Sequence, residues 1–130
     1  AIARGLAFDA ILAPNDGTAG GSVQALREDG RDGKILLTGQ DAELAACQRV
    51  YAGSQTMTIY KPLKVLAGRA AEIAVAMAGK KTVIAKGEIL VEKTPVPAVF
   101  VDVISVDKGN LQQTVVADGF HSLEAILKGQ

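Results

Sequence analysis

Tryptophan is absent from this 130-residue chain, and aromatic residues make up only 4% of it. The core therefore falls to Ala, Val, Leu, Ile and Gly, the usual packing set of α/β layers. Cys47 is the one cysteine, which excludes a disulfide within the chain. Following Ala45-Ala46 in a helical pattern, it reads as a small buried apolar residue. His121 is the one histidine, and with a single cysteine it cannot complete an ordinary structural zinc site. In the polar DGFHS it reads as a surface residue. No apolar run reaches the roughly 18 residues that span a bilayer. Fourteen basic residues balance fourteen acidic ones, which removes the charge footprint of a nucleic-acid or membrane-surface binder.

Catalytic signatures are missing as well. There is no Gly-x-Ser-x-Gly elbow. GTAGGS lacks both the Gly-Lys-Ser/Thr of a P-loop and the spacing of a dinucleotide fingerprint. No nucleophile–base pair is evident, so the chain reads as a non-enzyme with no cofactor and no metal.

What is present is an alternation of short apolar runs and amphipathic segments, on about one domain's length. DAILAP is a buried strand, followed by a helix from about Thr18 to Asp29 with Ala19, Val23 and Leu26 on one face. Gly30 and Gly33 end it. KILLTG is the second strand, AELAACQRVYAG the second helix, and the alternating SQTMTIY the third strand. Pro62 stands at the first turn of a long helix, LKVLAGRAAEIAVAMAG. Two extended pieces separated by Pro95 and Pro97, a weak helix KGNLQQTVVADG and a polar tail complete the chain. The expected fold is α/β, a parallel sheet with helices on both faces. The opening AIARGLAF reads as a helix tail without a capped start, so the chain is expected to be the carboxyl-terminal part of a longer protein.

In such sheets ligands bind outside the carboxyl ends of the strands. The three ends carry Asn15, Asp41 and Lys61. An amide donates and accepts, a carboxylate accepts and an ammonium donates, so the set suits several adjacent hydroxyls. That is the chemistry of a monosaccharide site. Each residue also has a plainer reading. Asn15 or Asp16 could cap the first helix, Asp41 the second, and Lys61 could be a solvated lysine.

At these residues the sequence resembles the periplasmic sugar-binding proteins of ABC importers. APNDGTAGGSVQAL resembles that family's Asn-Asp-x-Thr-Ala-Gly-Gly segment. LLTGQDAELAACQRVYAGSQTMTIYKP resembles its Gly-Gln-Asp-Ala-x-Leu and Gln-Thr-Met-Thr-x-Tyr-Lys-Pro segments, and VVADGFHSLEAIL its carboxyl end. The spacing is 26 residues from Asn15 to Asp41 and 20 on to Lys61. The resemblance implies two α/β lobes closing on a sugar, with Asn15, Asp41 and Lys61 as sugar contacts. It places residues 1–59 and 98–130 in the carboxyl-terminal lobe, and 60–97 in a hinge crossing and a helix given to the other lobe. It further implies xylose or a similar monosaccharide as ligand, an ABC permease as partner, and a periplasmic or lipid-anchored extracytoplasmic location. A complementary amino-terminal lobe would supply the stacking and arginine contacts, so this chain alone is expected to bind xylose poorly. Two other readings of the same residues are the effector domain of a sugar-responsive regulator and a small doubly wound α/β enzyme.

Overall fold

The computed structural model describes residues 1–129; Gln130, the last residue of the expected carboxyl-terminal lobe, lies outside them. The chain divides into two units, residues 1–61 with 104–130 and residues 62–103.

In the first unit, β1 (Ala10–Ile11) runs parallel to β2 (Leu36–Leu37), in the register Ala10 to Leu36. Between them lies α1 (Asp16–Glu28). Asn15 is its N-cap, its side chain accepting from the Thr18 amide at 2.9 Å, which satisfies one otherwise orphaned donor. Ala19, Val23 and Leu26 are buried, the face expected from their spacing. Ala19 and Val23 pack α1 on Ala13 and Leu37. Then come α2 (Leu44–Ala52) and β3 (Thr58–Tyr60), which joins β2's end through a parallel bridge between Gln40 and Ile59. Gly53, at φ 92°, closes α2 in the left-handed conformation that a residue without Cβ adopts cheaply.

The expected parallel order ends at β3. Its other neighbour, β6 (Ile104–Val106), is antiparallel to it. The expected weak helix is a short π-helical stretch, Gln112–Val116, and the expected polar tail holds α4 (Leu123–Leu127), capped by Ser122. The amphipathic SLEAIL pattern is only one turn long, so its signal is faint, yet Ile126 is fully buried. It joins Cys47, Val50, Tyr60, Val106 and Val115 in one apolar cluster. The opening residues form a 3-10 turn, Ile2–Arg4. On the sheet face opposite α1, Leu12 and Leu36 are 87% and 61% exposed.

The second unit contains α3 (Leu63–Ala78), with Pro62 at its N-cap, and an antiparallel hairpin of β4 (Gly87–Val91) and β5 (Thr94–Ala98). Pro95 and Pro97 were expected between extended pieces; they lie inside β5, and the turn falls at Glu92-Lys93. Spaced by two, they face the same edge, so neither missing amide hydrogen is needed for pairing. Among the described residues no helix is long and apolar enough to cross a membrane.

Candidate functional site

The three strand ends are tied together by their backbones. The Asp16 amide donates to the Gln40 carbonyl at 2.9 Å, and the Asp41 amide to the Ile59 carbonyl at 2.8 Å. Asn15, Asp41 and Lys61 consequently stand at three adjacent chain ends. Asp41 and Lys61 meet directly, Nζ to Oδ1 2.5 Å, each about two-fifths exposed. Asn15 spends its Oδ1 on capping α1, a bond that does not involve the amide nitrogen of its exposed side chain. Asp41 does not cap α2: Glu43 is the N-cap, without a side-chain bond.

The backbone at the ion pair is unusual. Asp41 has φ 103° and Ala42 φ 50°, a region that side chains with Cβ avoid. Such strain costs on the order of 1–3 kcal/mol per residue and persists where surrounding structure enforces it. A half-exposed ion pair contributes only about 0–1 kcal/mol, too little to offset that. The restraint comes from elsewhere. The Ala42 amide donates to Thr58 Oγ1 at 3.2 Å, and the Ala42 carbonyl lies 2.9 Å from His121 Nε2. A carbonyl only accepts, so His121 carries its hydrogen on Nε2.

Thr58 in turn donates to Asp16, 2.8 Å to Oδ2 and 2.9 Å to Oδ1. Asp16 is fully buried, and it also accepts from Gln55 Nε2 at 2.9 Å and the Glu43 amide at 3.0 Å. The last bond places its carboxylate at the amino end of α2, where a negative charge is favourable. Arg49 completes the lattice, donating to the Asp16 carbonyl at 2.8 Å and to Gln55 Oε1 at 2.9 Å. Asp16, read from sequence as a cap or turn residue, is thus the buried centre that joins α1, α2 and β3. Thr58, which the alternation of SQTMTIY does not single out, and His121, read from its polar setting as a surface residue, both belong to this lattice. The available signal was Thr58's place on the inward side of an alternating strand, flanked by Tyr60.

Two groups are shifted by this packing. Burial pushes the Cys47 thiol up to about 11, with the Asp16 charge adding to the effect. Burial, then the hydrogen bond to Asp118, pushes the Tyr60 hydroxyl up to about 12. Neither is poised as an acid or base near neutral pH. A cleft of about 440 Å³ opens on the exposed sheet face, lined by Leu12, Pro14, Thr38, Gln40, Met57 and Ile59 among others. Its lining holds no charged side chain and stops one residue short of Asp41.

The chain is 50% identical over 118 residues to a D-xylose-binding periplasmic protein of Haemophilus influenzae, and 46% identical over 114 residues to one of Escherichia coli. Those matches cover 91% and 88% of this chain but 36% and 34% of the relatives, so the chain spans about a third of their length. Its fold matches a carbohydrate transporter solute-binding protein of Chloroflexus aurantiacus solved with D-glucose, at a TM-score of 0.83 and 34% identity. That match covers 89% of this chain and 34% of the other. Residues 2–82 match the family model described as a periplasmic binding protein domain. With the parallel strand ends tied at one rim and most of its length matched, the chain belongs to the periplasmic binding protein domain family.

Proposed function

We propose that this chain supplies one wall of a monosaccharide site in an extracytoplasmic solute-binding protein, one that delivers xylose or a similar sugar to an ABC permease. The observation that carries the reading is the Asp41–Lys61 pair, held at a strained strand end beside Asn15. A carboxylate offers about four lone-pair sites and an ammonium three hydrogens. The ion pair uses one of each and leaves the rest for adjacent hydroxyls. Because each side chain already fixes the other, less rotamer freedom is lost when a ligand arrives. Asn15 adds a donor through the nitrogen that its cap bond does not use. The relatives named as periplasmic xylose-binding proteins support both the ligand class and the location.

In this reading residues 1–59 and 98–130 belong to the sugar-binding lobe, and residues 60–97 to the hinge crossing and the opposite lobe. The divisions beside Lys61 and Ile104 support it, since they separate the rim from α3 and the hairpin. Nothing in the assignment calls for a chemical step, and binding is the whole activity.

The test is a chimera in which this chain replaces the matched third of the Haemophilus influenzae relative. Isothermal titration should show saturable D-xylose binding. A folded chimera that binds no pentose or hexose would overturn the assignment.

A further inference from the structure

We propose that Thr58 and His121 are positioning residues that aim Asp41 at the ligand by clamping Ala42 from both sides. The inference rests on the monosaccharide-site reading for its functional half, but its geometric half stands alone. Ala42 has no side-chain means of holding φ 50°, and it is fully buried. Its amide is anchored to Thr58 Oγ1, whose hydrogen is committed to the Asp16 carboxylate. That commitment orients a hydroxyl lone pair toward the Ala42 amide, so the buried acid holds Ala42 through Thr58 as well as holding the neighbouring Glu43 amide directly. The Ala42 carbonyl is anchored to His121, whose ring is braced by Phe120 at 4.6 Å between centroids. With its amide and carbonyl both held, the peptide planes on either side of Ala42 are fixed, and the Asp41 carboxylate stays on Lys61.

Thr58→Val keeps the shape of the side chain and removes the hydroxyl. A residue at positive φ brings its amide and α hydrogens close, so in the 130-residue chain Ala42 should give a strong intraresidue amide–α nuclear Overhauser effect. That signal should fall in Thr58→Val. In the chimera the same substitution should weaken D-xylose binding about tenfold, the scale of one buried hydrogen bond lost. Adding Ala42→Gly, which accepts positive φ without strain, should recover most of the affinity. A merely structural Thr58 would not be rescued this way. An unchanged Ala42 signal in Thr58→Val overturns the proposal, as does unchanged affinity or a loss that Ala42→Gly fails to restore. Should Thr58→Val not fold, His121→Ala carries the test. It should lower the same signal and the affinity, with His121→Gln, which keeps a donor, restoring both; no change in His121→Ala overturns the proposal. A parent chimera that fails to bind sugar refutes the site reading instead, and the Ala42 signal still decides the clamp.

Discussion

A buried carboxylate must find donors, and Asp16 finds them on Thr58, Gln55 and the first turn of α2. Gly39 is the residue that makes room for it. A Cβ at Gly39 would collide with Asp16 Oδ1 and Gln55 Nε2. The requirement is space, not conformation, because Gly39 is not among the glycines at positive φ. Gly39→Ala should therefore cost at least about 2 kcal/mol, the middle of the range for overpacking a tight interior. Urea unfolding would measure it, and a variant as stable as the parent would contradict the tight packing. Cys47 makes the opposite point. Fully buried and with its thiol raised to about 11, it should resist a disulfide-exchange reagent at pH 8 until the chain is unfolded. Rapid labelling of the folded chain would contradict its place in the core. The buried role of Cys47 was legible from its Ala-Ala neighbours. That of Asp16 was not, because an acid one residue into a helix looks the same whether its donors are local or 42 residues away at Thr58.

At the level of elements, α1 and α3 were legible because their apolar spacing is helical over several turns and their starts carry Asn15 and Pro62. The strands were harder. With only two or three residues each in β1, β2, β3 and β6, periodicity cannot tell a parallel neighbour from an antiparallel one. The pairing of β3 with β6 depends on residues 44 to 48 positions apart, and nothing local announces it. Tyr60 is the joint of that pairing, 1% exposed, packed at a tilt against Phe120 with ring centroids 5.0 Å apart, and bonded to Asp118. Its hydroxyl is raised from 10 to about 12 in the folded chain, so the unfolded chain gives up that proton first. The stabilisation is complete below pH 10 and is lost as pH climbs toward 12. Thermal midpoints across that window should fall more steeply for the parent than for Tyr60→Phe. Parallel curves would show that Tyr60 does not titrate abnormally.

For the molecule as a whole, the meeting of three polar strand ends was the most legible feature, because a strand end is where a doubly wound sheet offers free polar groups. The spacing of Asn15, Asp41 and Lys61 put one at each of three successive ends, and backbone bonds tie those ends together. What the spacing could not reveal is which of the three would touch. That is set by positive φ at Asp41 and Ala42 and by the buried lattice behind them. In the proposed role, the opposite charges of Asp41 and Lys61 cancel at one pair and would act on a neutral sugar through hydrogen bonds. The most direct measurement is D-xylose titration of the chimera beside its Asp41→Ala form. Buried sugar hydroxyls left unpaired cost about 2 kcal/mol or more, so affinity should fall at least about thirtyfold with the fold intact. Equal affinity in the two proteins would contradict the sugar-gripping role of the Asp41–Lys61 pair.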